Sequence, residues 1–154
     1  MLEAAGPGAF EGDIAAAGQA AILSGGSDPA PSGPVLGSGE RALLICSVTG
    51  FRTLDPTDQL TLEFAGSYRH YCACLMRTVA IGSGSDAHRA MFSVTADALA
   101  AMTDAARPGM VLFLHAILID APQELAMSLG HTIVIGETGA EVLSKRTPEY
   151  TVRP

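Results

Sequence analysis

The stretch LTLEFAGSYRHYCACLMRTVAIG, residues 60–82, decides the fold of this chain. Two apolar segments, residues 59–66 and 70–81, lie on either side of a short polar sequence. This is the pattern of two strands around a tight turn. Glu63 and Cys74 lie eleven residues apart in these segments, and an Arg-Thr pair closes the second one. We therefore predict a double strand over this stretch.

The composition indicates one globular domain. The chain has 154 residues, enough for a hydrophobic core, and 48% of them are hydrophobic. Its formal net charge is −7. Because phosphate binding needs a basic surface, this charge argues against nucleic acid as a partner.

The sequence predicts no membrane partner and a cytoplasmic location. Its longest apolar run, MVLFLHAILI, has ten residues and is too short to span a bilayer. The first ten residues, MLEAAGPGAF, lack the basic and apolar regions of a secretory signal. Three cysteines, an odd number, give no disulfide framework and favour a reduced setting.

The remaining segments predict an α+β fold with an antiparallel sheet backed by helices. Apolar spacing predicts a helix over residues 9–24 and another over 85–106. The buried face of the second helix is predicted to be Met91, Val94, Thr95, Ala98, Leu99 and Met102. Further strands are predicted at residues 42–48, 110–119 and 131–135, with a last short element at 141–144.

Residues 60–82 resemble the double-strand motif of the pita-bread hydrolases, the family of creatinase, aminopeptidase P and proline dipeptidase. In the metallopeptidase members this motif carries two metal-binding aspartates, also eleven residues apart, followed by the same Arg-Thr pair. Residues 35–42, 108–119 and 131–143 are similar to further segments of the family. The resemblance implies a partial pita-bread domain, and it is closest to the ectoine-hydrolase and creatinase-like branch.

The resemblance also implies that the domain is incomplete. The family has one Pro-Gly at the end of its long helix and another at the start of a late strand. This chain has a single one, Pro108-Gly109, for both positions. The middle block of the family domain, with its glycine-rich histidine motif, is missing there. We therefore interpret residues 1–154 as a single, incomplete creatinase/aminopeptidase-like catalytic domain with a deletion at 107–110.

The metal-ligand positions that the resemblance implies hold few metal-binding side chains. Glu63 and Cys74 stand at the first two, and the third falls in the missing block. The last two fall on His115 and near Gly130. A hydrolytic metal site needs several hard or borderline ligands at one point. We therefore predict no metal and no other cofactor.

The resemblance assigns catalytic roles to Glu63 and His115, and substrate-binding roles to His70, Cys74 and Arg77. Two structural alternatives stay open. A carboxylate in an apolar strand is costly to bury unless it is paired, so an ion pair of Glu63 with Arg77 or Arg69 is equally compatible with the sequence. A lone histidine in an apolar strand is also typical of a hydrogen-bonded core residue.

The cysteines offer two readings outside these roles. His70, Cys72 and Cys74 alternate along one predicted strand and would point to the same face. Three such soft ligands suit zinc or Cu(I), although consecutive alternating residues lie too far apart to reach one ion easily. Cys46 stands near the position where the family has another active-site histidine. From its residue type we interpret it as a small buried hydrophobe.

Two functions are compatible with this sequence. By resemblance the chain is a hydrolase of a small amide or Xaa-Pro-type C–N bond, acting on a small-molecule or dipeptide-like substrate, and impaired or inactive in this form. The alternative is a non-catalytic remnant that acts as a small-molecule-binding or interaction module. The missing histidine block favours the remnant, but a hydrolase of the creatinase/aminopeptidase P type is our preferred interpretation.

The strand after the deletion carries a separate structural prediction. Residues 111–117 are apolar on both faces and rich in β-branched and aromatic side chains. We expect a buried strand in the same sheet as the double strand, with Met91, Leu99 and Met102 packed over it. The missing middle strands would leave an open sheet edge, which favours a homodimer.

Overall fold

The computed structural model of the chain describes residues 1–30, 33–108 and 111–154. It contains helices α1 (Glu11–Ser24) and α2 (Asp86–Ala105), with short 3₁₀ helices at Leu2–Ala4 and Gly39–Leu44. The strands are β1 (Val35–Ser38), β2 (Gln59–Tyr68), β3 (Tyr71–Ile81), β4 (Val111–Asp120), β5 (Leu125–Gly136), β6 (Gly139–Val142) and β7 (Thr151–Arg153). The predicted α+β class is confirmed. Neither helix in the described part of the chain is long and apolar enough to cross a bilayer.

The double strand forms the hairpin β2–β3, as predicted. The two strands pair along their length, from Gln59 with Ala80 to Tyr68 with Tyr71. The turn has two residues, Arg69 and His70, at φ 50° and φ 70°. Positive φ at both central positions matches the right-handed twist of a two-residue hairpin. His70 therefore belongs to the turn and not to β3, where the sequence had placed it.

Within the described residues the strands form one sheet in the order β1-β2-β3-β5-β4. β6 extends it from β5, and β7 pairs with β3 in the parallel sense. The predicted strand at residues 42–48 is wrong, because that segment begins in the 3₁₀ helix and Ile45 has φ 57°. The strand lies just before it, where Val35–Ser38 pairs with β2.

Two further boundaries differ from the predictions. β5 begins at Leu125, six residues before the predicted start at His131, because β4 pairs with it as far as Asp120 with Leu125. No strand was predicted at β7, which lies after the last predicted element. Its short sequence, Thr-Val-Arg, becomes a strand through pairing with β3 and not through any pattern of its own.

The helices lie on one face of the sheet and build two separate cores there. One core joins Ile14 of α1 to Leu36, Leu60 and Leu62 of the β1–β2 pair and to β3. The other joins Met91 and Leu99 of α2 to Ala116 of β4 and to Met127 and Leu129 of β5. Val94 and Ala98 were predicted to lie in the buried face of α2, but both are exposed. The buried stripe is instead His88, Met91, Thr95 and Leu99.

The two cores meet at the seam between β3 and β5. Backbone pairing there is confined to Leu75 with His131 and Met76 with Gly130. Side chains supply further bonds across the seam. The backbone amides of Cys74, Ser128 and Ala126 donate to Thr132 Oγ1, Thr78 Oγ1 and Gln59 Oε1, each at 2.8 Å. The seam is therefore held largely by threonine and glutamine side chains.

β4 lies at the edge of the sheet. The predictions that it pairs in the same sheet and packs under Met91, Leu99 and Met102 are confirmed. The predicted burial is wrong, because Val111 is 64% exposed and Ile117 43%. Val111 and Ile117 point away from α2, to the face that neither helix covers, and no described strand lies on the outer side of β4. The predicted tight reversal at Pro108-Gly109 falls partly on Gly109 and Met110, outside the described residues.

His88 on the buried face of α2 predicts acid sensitivity of the fold. Its Nε2 lies 3.0 Å from the carbonyl oxygen of Ala126, and its ring meets Tyr150 edge to face. Burial lowers the pKa of His88 below 6.5, opposed in part by the bond to Ala126. The unfolded chain then binds more protons than the folded one below that pH, so stability is lost as the pH falls below about 6.5.

The measurement is urea unfolding from pH 7.5 to 5. We expect the free energy of unfolding to fall with decreasing pH, and His88→Gln to flatten the slope. His70→Gln in the exposed turn is the matched control and should keep the slope of the wild type. An unchanged slope in His88→Gln would contradict the assignment.

Candidate functional site

The strand register brings the predicted ligand positions to one face of the sheet. Glu63 pairs with Met76, Met76 pairs with Gly130, and Gly130 pairs with His115. Paired residues point to the same side, and so does Cys74, two residues before Met76. These residues all lie on the face opposite α1 and α2, which we call the site face.

Glu63 and Cys46 approach each other at one side of this face. The Cys46 Sγ lies 4.0 Å from Glu63 Oε2. Cys46 is exposed, so the expectation of a buried hydrophobe is wrong. Partial loss of hydration, followed by the charge of Glu63, raises the pKa of the Cys46 thiol above 9.0. The group is therefore a protonated thiol near neutral pH and a weak nucleophile.

Cys74 has a similar environment on the neighbouring strand. Burial raises the pKa of its thiol above 9.0, and the charges of Glu63 and Cys72 act in the same direction. The Cys74 amide and carbonyl are both bound by Thr132 Oγ1 across the seam. Cys74 thus presents a neutral, protonated sulfur beside the carboxylate of Glu63.

His115 lies on the other side of the site face, on β4. Its Nε2 lies 3.0 Å from Ser128 Oγ and also contacts Met76 Sδ. Burial lowers the pKa of His115 below 6.5, and the charge of Glu63 opposes this shift. A neutral imidazole can accept or pass on a proton near pH 7. Ser128 itself is fully buried and is closed to a substrate as a nucleophile.

Arg77 lies on the opposite face of the sheet. It donates to the carbonyl oxygens of Met76 at 2.7 Å, Gly130 at 2.8 Å and Arg146 at 3.1 Å. Burial lowers its pKa below 12.5, with an opposing contribution from Glu149. Arg77 therefore ties the seam and the following segment together. Its role in substrate binding stays a prediction, and Arg77 would have to act from the face opposite Glu63 and His115.

The structure thus joins some of the predicted site residues and separates others. Glu63, Cys74 and His115 share the site face. His70 lies in the hairpin turn, and Cys72 Sγ is directed to Ser67 Oγ at 3.7 Å. Within the described ranges no carboxylate-cation pair involves Glu63, since those found join Arg52 to Asp55 and Asp58. The proposed ion pairs to Arg77 and Arg69 are therefore not formed.

Sequence reasoning missed two contributors to the site. Ser128 carries no motif, and only the pairing of β4 with β5 brings it to His115. Cys46 had a signal, because the family comparison placed an active-site histidine near it. Its exposure and its approach to Glu63 depend on the bend after the 3₁₀ helix. The predicted strand at 42–48 did not include such a bend.

The residues at the ligand positions do not fit a hydrolytic metal centre. Within residues 1–30, 33–108 and 111–154, no group of three or more His, Cys, Asp or Glu side chains could hold a metal ion. Gly130 offers no donor, and a Cβ there would lie 2.9 Å from the carbonyl oxygen of Leu114. A carboxylate side chain at position 130 would therefore require β4 to move.

Comparison with known protein families agrees with this fold and this site face. The family model of metallopeptidase family M24 matches residues 1–139. The chain belongs to the M24 family, and the resemblance to the pita-bread hydrolases is confirmed. The narrower likeness to the ectoine-hydrolase branch stays a prediction.

Individual relatives agree with this assignment. The uncharacterized hydrolase/peptidase y4tM of Sinorhizobium fredii is 34% identical over 113 residues, which are 71% of this chain and 29% of that protein. The Xaa-Pro dipeptidase of Pyrococcus furiosus is 24% identical over 103 residues, 67% of this chain and 30% of that protein. This chain therefore spans less than a third of the length of these curated relatives.

A solved structure supports the fold. The Xaa-Pro dipeptidase from Bacillus anthracis superposes with a TM-score of 0.90 at 17% sequence identity. The match covers 98% of this chain and 57% of that one. Almost all of this chain therefore has a counterpart in that structure, and the predicted partial pita-bread domain is confirmed.

Proposed function

We propose that the site face binds a dipeptide-like or other small amide ligand without hydrolysing it. The observation that carries this proposal is the set of residues at the M24 ligand positions: one carboxylate, one protonated thiol, one neutral imidazole and one glycine. This set retains groups that recognise a small polar ligand. It lacks the convergent hard ligands that a hydrolytic metal centre requires.

Glu63 and His115 would recognise opposite ends of such a ligand. A carboxylate accepts charge-assisted hydrogen bonds from a free amino group, and these are the stronger kind. A neutral imidazole can donate to or accept from an amide. Xaa-Pro dipeptides are the appropriate first probe, because two of the similar proteins carry the name Xaa-Pro dipeptidase.

A second candidate function is weak hydrolysis by Glu63 and His115 alone. His115 would act as general base toward water and then return the same proton to the leaving nitrogen, while Glu63 would hold the amino group of the substrate. The lowered pKa of His115 favours this candidate, because such an imidazole is neutral and able to accept a proton at pH 7. Without a preorganised group to stabilise the tetrahedral oxyanion, the rate would be small.

The experiment combines a binding titration with a peptidase assay. We expect Ala-Pro to perturb the amide resonances of β2 and β4 at millimolar concentration, and Mn²⁺ or Co²⁺ to add neither affinity nor turnover. Glu63→Gln should weaken binding about 10-fold to 100-fold, the loss of one charge-assisted bond. Glu137→Gln in an exposed turn applies the same change elsewhere and should leave binding intact.

Three outcomes would decide against the proposal. Metal-dependent turnover that Glu63→Gln abolishes would make the chain an active metallopeptidase. Metal-free turnover that both Glu63→Gln and His115→Ala abolish would favour the second candidate. Absence of any binding together with absence of turnover would leave an interaction module or a remnant that only folds.

A further inference from the structure

A cavity of about 450 Å³ lies beside helix α1, over the β2–β3 hairpin. On its floor Phe64 pairs with Leu75 and Leu62 pairs with Arg77, and paired residues point to the same side of a sheet. Leu62 belongs to the core under α1, so the cavity opens on the face opposite the site face. We call it the helix-face cavity. Its volume is within the range of small-molecule sites, roughly 300–1,000 Å³.

The walls of the helix-face cavity include part of α1 and residues 146–151. Arg77 Nη2 donates to the carbonyl oxygen of Arg146 at 3.1 Å and so ties the second wall to the floor. The side chains of the floor and of the α1 wall are apolar except for Arg77: Leu62, Phe64, Leu75, Val79, Ala21 and Ile22. Such a surface favours a ligand with an apolar body.

Arg77 gives the floor of this cavity a half-buried positive charge. Its guanidinium has five N–H groups, and those that bond to described residues donate to the carbonyl oxygens of Met76, Gly130 and Arg146. The ion pairs within the described ranges involve Arg52 instead. Burial lowers the pKa of Arg77, because its charged form has lost hydration. A bound carboxylate would compensate for this loss through charge-assisted hydrogen bonds, which are among the stronger kind.

The other charges of the helix-face cavity lie in exposed positions. Glu3, Arg146 and Glu149 also line it, and all three residues are exposed. Because solvent and salt screen exposed charges more than half-buried ones, Arg77 dominates the charge preference of the cavity. We propose that the helix-face cavity binds a small organic carboxylate with an apolar body, with the carboxylate at Arg77. This ligand and the one proposed for the site face lie on opposite faces, so either proposal can fail alone.

The first test varies the charge of the ligand and leaves the protein unchanged. Arg77→Met is less suitable, since it would also break the bonds that Arg77 makes across the seam. Octanoate, octanol and octylammonium share one apolar body, and their binding can be followed by the methyl resonances of Leu62 and Val79. We expect octanoate to shift these resonances at millimolar concentration and to bind about 10-fold more tightly than the other two ligands. The methyl resonances of Leu129, in the core under α2, should not move.

A substitution on α1 tests the position of the ligand. Ala21 is exposed and lines the cavity, so Ala21→Trp would fill part of the space and should weaken octanoate binding about 10-fold or more. Ala20→Trp is the matched control, because Ala20 is exposed on the same helix and is not among the residues that line the cavity. It should leave the dissociation constant unchanged, and circular dichroism should show the same fold in both variants.

A charge substitution near Arg77 should act in the opposite direction. The charge of Glu149 acts on Arg77 and would repel a bound carboxylate, so Glu149→Gln should strengthen octanoate binding about 2-fold to 3-fold. Glu137→Gln, in an exposed turn, should have no effect. Equal affinity for the three ligands, no methyl shift with octanoate, or octanoate binding that survives Ala21→Trp unchanged would each overturn the proposal.

Discussion

Glu11→Ala is expected to lower the free energy of unfolding by about 3–5 kcal/mol. The side chain of Glu11 is completely buried at the start of α1. Its Oε1 accepts hydrogen bonds from Ser38 N at 3.1 Å and Ser38 Oγ at 2.6 Å, and its Oε2 from Gly50 N at 2.9 Å. Removing the carboxylate leaves three donors without a partner and a cavity between α1, β1 and the following loop.

Chemical denaturation at pH 7 measures this effect. Asp13→Ala is the matched control, because Asp13 is an exposed acidic residue in the same first turn of α1. Asp13→Ala also removes a favourable charge near the start of the helix dipole, but it breaks no buried hydrogen bond. It should therefore cost less than about 1 kcal/mol. A loss of similar size in both variants would show that Glu11 acts only through the helix dipole.

Gly82→Ala is expected to cost at least about 3 kcal/mol, or to prevent folding at 37 °C. Gly82 directly follows β3 and has φ +71°, a left-handed conformation that costs other residues about 1–2 kcal/mol. In addition, a Cβ at this position would overlap the carbonyl oxygen of Pro56. Gly82 N also donates to the carbonyl oxygen of Arg153, so a shift of this residue would loosen β7.

Gly8→Ala separates the two contributions to this loss. Gly8 has φ +79°, but a Cβ there would meet nothing within 4 Å. This variant should therefore show only the conformational cost, about 1–2 kcal/mol, in the same thermal and urea unfolding experiments. If the two variants were equally stable, backbone strain alone would explain the effect at Gly82, and the contact with Pro56 would be irrelevant.

The parts of the fold that the sequence predicted are those with a strong local pattern. The β2–β3 hairpin has two apolar segments with a short turn, and α2 has twenty residues of helical spacing with Ser85 as its cap. β7 and the start of β5 could not be found in this way, because long-range pairing makes them strands. The short apolar run at 42–48 was compatible with strand or helix, and periodicity alone does not distinguish these.

The site was predictable only as far as the family motif reached. Glu63, Cys74 and His115 came from the resemblance, and the register of four strands brings them to one face. Arg77 and Glu63 lie on opposite faces because Glu63 pairs with Met76 and neighbouring residues of a strand alternate between faces. The sequence alone did not give this register, so an ion pair between them stayed open. The partners of His115 depend on β5, whose first six residues carried no recognised strand pattern.

The seam between β3 and β5 has a consequence for the cooperativity of the molecule. Each side of the seam has its own core. Where two cores are weakly joined, one of them can open locally at a lower free energy than global unfolding requires. The two halves should then behave as separate exchange units, each built around one helix. Glu63 belongs to one half and His115 to the other. A ligand bound by both residues would connect the two units. Its binding free energy would stabilise the state in which both units are folded and would make them open together.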